Sequence, residues 1–163
     1  MNIILIGFMG SGKSSVGKEL ARLLKLNFID MDDLVVEESK RKSIPEIFEK
    51  DGETHFRELE IKVAKKLSDK KDIILATGGG VVLNRIILDY LRKDGVVIFL
   101  ETSFEQAKKR LQKFTDRPLF KNLANAKKIF NQRQILYKTY ADKMIKTDKQ
   151  SIKRVAEQIL NII

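Results

Sequence analysis

Ile3-Ile4-Leu5-Ile6, then Gly7-Phe8-Met9-Gly10-Ser11-Gly12-Lys13-Ser14, then Val16, Leu20, Leu23 and Leu24 at helical spacing: the chain opens with strand, glycine loop and helix in that order. The central eight residues fit G-x-x-x-x-G-K-[ST], a pattern that carries chemistry only in this setting. A short β-branched run ending in glycine reads as a buried strand. Gly7, Gly10 and Gly12 permit backbone angles and close approaches that side chains would block. The N–H groups of Gly10, Ser11, Gly12, Lys13, Ser14 and Ser15, with the positive end of the helix, then face a polyphosphate. Lys13 is placed to reach the β- and γ-phosphates and Ser14 to ligate Mg²⁺.

The remaining sequence extends this start into one α/β domain spanning residues 1–163, a common domain size. Strand patterns recur at Asn27-Phe28-Ile29, Ile73-Ile74-Leu75, Val96 to Leu100 and, weakly, Lys143 to Lys146. Helical spacing fills the intervals over 32–42, 53–67, 84–92, 103–111, 125–141 and 151–162. Alternating strands and helices call for a parallel sheet flanked by helices. Ser43 precedes Ile44-Pro45-Glu46, a capping-box signature with Pro in the first turn. There is no repeat, low-complexity tract or linker to divide the chain.

Composition narrows the function classes. An apolar share of 43% with 33% charged residues describes a globular protein, and no apolar run approaches the ~20 residues of a membrane span. Without cysteine there is neither disulfide nor thiolate chemistry. The single histidine, His55, excludes a histidine-rich metal site and reads as a surface residue. Entry directly into a strand, with no signal-peptide pattern, suggests a cytoplasmic enzyme. The net charge of +10 is concentrated between Thr102 and Arg154. Aromatic residues do not interleave with those Lys and Arg, and no nucleic-acid motif accompanies them. The charge suits anionic small ligands on solvated helix faces.

Four further features select a reaction. Asp30-Met31-Asp32 lies at the end of the second strand, where open α/β sheets bind ligands. Two carboxylates on a strand tip share a side. One can hold Mg²⁺ through water and the other can orient an acceptor hydroxyl and take its proton. An ordinary acidic helix start is the alternative. Arg57 and Glu60, three apart, fall on one helix face. An Arg held by a Glu keeps a fork suited to a carboxylate, or forms a simple surface pair. Thr77-Gly78-Gly79-Gly80 follows the third strand, where many phosphate-loop proteins place a Mg²⁺-binding Asp. The bare glycine backbone can donate to a ligand, or simply turn. Arg117 lies in the polar segment 113–122, a candidate lid that delivers charge to the transferring phosphoryl group; a solvated loop is the plainer alternative.

Taken together, the loop at Gly7–Ser14, Phe28-Ile-Asp30-Met-Asp32, Gly52-Glu53-x-x-Phe56-Arg57-x-x-Glu60, Thr77-Gly-Gly-Gly80, Arg117-Pro118-Leu119 and Arg133-x-x-x-Tyr137 resemble shikimate kinase over nearly the whole chain. The resemblance implies a three-layer P-loop kinase fold, with a five-stranded parallel sheet in the order 2-3-1-4-5. Acceptor-binding helices are then expected at about 32–61 and a lid at about 113–122. ATP is implied as phosphoryl donor, Mg²⁺ as cofactor and the 3-hydroxyl of shikimate as acceptor, in a monomer with no nucleic-acid or membrane partner. By the same resemblance Lys13, Asp32 and Arg117 are catalytic. Asp32, Arg57, Gly78, Gly79, Gly80 and Arg133 bind shikimate, with Glu60 orienting the arginines. Ser14 binds Mg²⁺ directly and Asp30 through water, while Arg110 lies near the adenine.

Two rivals remain at this level. Another small P-loop kinase, for gluconate or a nucleotide, would lack Phe-Arg-x-x-Glu joined to the triple glycine. A nucleotide-dependent switch or nucleic-acid-stimulated ATPase would place an acid where Thr77-Gly78 stands.

Overall fold

Five parallel strands form one sheet in the order β2-β3-β1-β4-β5, as expected. They are β1 (Asn2–Ile6), β2 (Asn27–Asp30), β3 (Ile73–Ala76), β4 (Gly95–Glu101) and β5 (Lys143–Lys146). The computed structural model describes residues 1–112 and 122–163. The expected lid, apart from Asn122, lies outside the described residues, and Arg117 with it. The helices are α1 (Lys13–Leu24), α2 (Met31–Ser39), α3 (Ile44–Lys50), α4 (Gly52–Leu67), α5 (Arg85–Arg92), α6 (Phe104–Leu111), α7 (Leu123–Tyr140) and α8 (Ile152–Leu160).

The strand runs are continuously apolar because both faces of the sheet are covered. Ile4 and Ile6 of β1, with Val97 and Phe99 of β4, face a core built with α2 to α7. Ile3 and Leu5, with Ile98 and Leu100, face the opposite core, closed by α1 and α8. This is the two-residue alternation of a strand. Burying an aliphatic side chain is worth about 1.5–3 kcal/mol. Four such residues in succession in β1 give the glycine loop a rigid base.

Local signals set the helix ends. Ser43 Oγ accepts from Glu46 N at 3.3 Å, and Glu46 Oε2 accepts from Lys42 N at 2.7 Å. The return bond of the capping box therefore falls one residue before the cap. Asn84, Ser103, Asn122 and Ser151 cap α5, α6, α7 and α8 through their side chains. Two expectations need correction. The helix expected over 32–42 ends at Ser39, with Lys40 in the left-handed conformation. The long helix expected over 125–141 starts two residues earlier, at Leu123, because Asn122 accepts from Asn125 N. A short 3₁₀ turn at Val81–Leu83, not anticipated, links the triple glycine to α5.

Candidate active site

The carboxyl ends of the adjacent strands β2, β3 and β1 bring the acid pair, the triple glycine and the glycine loop to one edge of the sheet. Gly7 leaves β1 at φ 150°, and a Cβ there would lie 2.8 Å from the Leu100 carbonyl. Only glycine satisfies both demands. Gly12 caps α1 in the left-handed conformation without offering a side chain to its N–H groups. Those groups stay available to an anion. Phe8 pins the loop from below: it is fully buried, edge-on to Phe130 of α7, which also meets Phe104 of α6. Lys13 Nζ folds over the loop and donates to the carbonyls of Gly7 at 2.8 Å and Phe8 at 3.0 Å.

Ser14 Oγ donates to Asp30 Oδ2 at 2.7 Å, bringing two oxygen ligands together at the mouth of the loop. Asp30 Oδ1 accepts from Asp32 N at 3.1 Å and so caps α2. Strand alternation was the wrong reason for grouping the two acids, because the strand ends at Asp30 and Asp32 already lies in the helix. Asp32 nevertheless faces the same edge. A Cβ on Gly78 would lie 2.7 Å from Asp32 Oδ1 and 3.3 Å from Glu60 Oε1.

Arg57 and Glu60 form more than a surface pair. Glu60 is 1% exposed and accepts from Arg57 Nη1 at 2.6 Å. Burial pushes the Glu60 carboxyl above the ordinary range against the pull of Arg57; the nearby Asp32 charge adds to the rise and Arg133 opposes it. Arg57, Asp32 and Arg133 thus all act on the Glu60 carboxyl. The Arg57 fork packs on bare backbone: a Cβ at Gly80 would lie 2.5 Å from Nη1 and 2.8 Å from Nη2. Gly79 lies over the glycine loop, where a Cβ would meet Met9 N at 3.5 Å and Gly7 O at 3.7 Å. Thr77 is turned inward, both its N–H and its hydroxyl donating to Leu5 O at 3.1 and 2.9 Å. It ties β3 to β1 at the point where the loop begins.

On the opposite side, Arg110 of α6 donates to Gly10 O at 2.9 Å and to Thr147 O at 3.2 Å. It joins the glycine loop to the turn after β5. A groove of about 380 Å³ runs there, lined by Gly10, Gly12, Ser15 and Arg110 among others. Asp148 accepts from Thr102 Oγ1 and Ser103 N. Burial alone would raise its carboxyl, but these bonds and the Arg110 charge carry it below the ordinary range. Sequence spacing could not find this role, because Asp148 meets its partners across 45 and 46 residues of chain. His55 is exposed on α4, 3.7 Å from Glu58, as a surface residue would be.

A shikimate kinase family model matches residues 9–163. The shikimate kinase of Histophilus somni is 38% identical over 99% of this chain and 94% of its own length. That of Aquifex aeolicus is 40% identical, over 99% and 96%. Among solved structures, a shikimate kinase from Acinetobacter baumannii in complex with shikimate superposes with a TM-score of 0.92 at 34% identity, over 99% of this chain and 91% of that one. The crystal structure of the Aquifex aeolicus shikimate kinase gives 0.82 at 38% identity, over 99% and 95%. With its phosphate loop, paired arginine and triple glycine at one sheet edge, and a family match over nearly its full length, the chain belongs to the shikimate kinase family.

Proposed function

We propose that this chain transfers the γ-phosphoryl group of ATP to the 3-hydroxyl of shikimate, a step of aromatic amino acid biosynthesis, using the residues gathered at that edge. The observation that carries the assignment of roles is the convergence of Lys13, Asp32 and the Arg57–Glu60 pair on adjacent strand ends. A phosphate loop alone fits any nucleotide enzyme. An Arg fork held by a buried Glu beside it fits an acceptor that carries a carboxylate.

In this reading the loop N–H groups and Lys13 hold the β- and γ-phosphates, and Lys13 exchanges the Gly7 and Phe8 carbonyls for phosphate oxygens. Arg57 and Arg133 hold the carboxylate of shikimate. Gly78, Gly79 and Gly80 let it approach the backbone. Asp32 orients the 3-hydroxyl toward the phosphorus and accepts its proton. Arg117, outside the described residues, is proposed as the lid arginine that adds charge to the transferring group, and Arg110 as a residue beside the nucleotide. Phosphoryl transfer asks mainly for positioning and charge stabilisation, which fits a site made of fixed donors.

Ser14 and Asp30 fit Mg²⁺. Both ligating atoms are oxygens, and Mg²⁺ keeps waters and phosphate oxygens rather than filling an all-protein cage. When bound, the ion neutralises charge on the phosphates. Asp30→Asn is therefore expected to raise the Mg²⁺ concentration needed for half-maximal rate by several-fold, measured by Mg²⁺ titration at saturating ATP. An unchanged titration would remove Asp30 from the metal site.

Gly80→Ala is expected to displace the Arg57 fork. Losing a charge-assisted hydrogen bond of ~1.5–3 kcal/mol would raise KM for shikimate roughly tenfold or more. ATP affinity without shikimate would be preserved, because the space an added Cβ would take at Gly80 is filled by the Arg57 fork. A parallel collapse of ATP affinity would move Arg57 to the nucleotide side. The function itself is tested by coupled ADP release with shikimate, gluconate and nucleoside monophosphates as acceptors. Release is expected with shikimate alone, and equal release with a rival acceptor would overturn the reading. The reading extends to a monomeric cytoplasmic enzyme, with light scattering as the test of the monomer.

A further inference from the structure

Tyr137 is the one member of the Arg133-x-x-x-Tyr137 spacing to which the proposed reaction assigns no role. It is fully buried, and its ring stacks on Phe99 of β4 with centroids 5.1 Å apart. Its hydroxyl donates to the carbonyl of Gly79 at 2.5 Å, across 58 residues of chain. Gly79 in turn lies against the backbone of Met9 and Gly7 in the phosphate loop. One helical turn before Tyr137, on the same face of α7, stands Arg133. It acts on the Tyr137 hydroxyl both by charge and as a hydrogen-bond donor, and on Glu60 by charge.

We propose that Tyr137 is a positioning residue for phosphoryl transfer, whose hydroxyl fixes the Gly79–Gly80 peptide and so holds the acceptor arginines in register with the phosphate loop. The inference rests on the function proposed above. All peptide bonds in the described structure are trans, so the Gly79 carbonyl and the Gly80 N–H lie in one plane and point in opposite directions. A donor that holds the carbonyl therefore also sets the N–H. It further fixes the Cα of Gly80, against which the Arg57 fork packs. Glycine has the widest backbone freedom of any residue, and three in succession would not keep one orientation unaided. Val81 N and Leu83 N donate to the carbonyls of Gly78 and Gly80, and Tyr137 supplies the constraint on the Gly79 carbonyl between them. It ties α7, which carries Arg133, to the triple-glycine turn, which lies against the phosphate loop. A phenylalanine would fill the same space against Phe99 and leave the peptide plane free.

Tyr137→Phe tests the hydroxyl. A neutral hydrogen bond is worth ~0.5–1.5 kcal/mol, so kcat/KM for shikimate is expected to fall roughly threefold to tenfold. ATP affinity measured without shikimate would stay within twofold of the unmodified protein, and melting would remain cooperative. Phe99→Leu is the packing control, since it loosens the ring stack without touching the hydroxyl. It is expected to lower Tm while leaving kcat/KM for shikimate within twofold. A Tyr137→Phe enzyme within twofold of normal for shikimate would overturn the proposal. So would an equal loss in ATP affinity, or a Phe99→Leu enzyme with the same loss of shikimate use. The unmodified protein, assayed in parallel, separates the two levels: no transfer to shikimate there would overturn the proposed function and this inference together.

Discussion

Lys13→Ala is expected to lower kcat by ~10²-fold or more, because one preorganised charge aimed at the phosphates is lost from a closed site. The side chain folds over the loop onto the Gly7 and Phe8 carbonyls and takes no part in either core. The loop is held from below by buried Phe8 and from behind by four buried residues of β1. Removing the ammonium thus leaves the scaffold in place, and a cooperative melt close to that of the unmodified protein is expected. Single-turnover transfer separates chemistry from product release. A kcat close to normal would show that the lysine neither positions nor stabilises the transferring group.

Asp32→Asn is expected to lower kcat by ~10²-fold or more at saturating shikimate, within the range of a lost general base. Asparagine keeps the shape of the side chain, and the backbone N–H of residue 32 still donates to Asp30. The change therefore removes charge and proton acceptance from the edge where Gly78, Glu60 and the arginines meet. Wild-type kcat in this variant would exclude a chemical role. A rise in KM alone would make Asp32 a binding residue.

The parts of this site that could be read in the sequence are those with short-range causes. Four consecutive apolar residues before glycine marked β1, and the glycine spacing marked the loop, because both follow from local backbone and burial rules. Arg57 and Glu60 were legible as a pair because helical spacing puts residues three apart on one face. Spacing did not show that Glu60 is buried, since burial depends on where α4 meets α2 and the triple glycine. The place of Asp32 was misread for a similar reason: it looked like part of the strand tip, but β2 ends at Asp30, and the bond by which Asp30 caps α2 appears only in three dimensions. The turn at Val81–Leu83 has too few residues to show a period. Tyr137 and Asp148 meet their partners across more than 40 residues of chain. Their side chains look ordinary until β4, β5 and α7 have packed.

The central claim is that phosphate leaves ATP for the 3-hydroxyl of shikimate and not for water. Phosphorus and carbon NMR of a single reaction containing enzyme, Mg²⁺, ATP and shikimate tests it directly. The expected result is one ADP for each sugar-like phosphate ester formed, with phosphorus coupling seen at carbon 3 of the shikimate ring. Inorganic phosphate appearing at the rate of ADP, or an ester on another hydroxyl, would contradict the account.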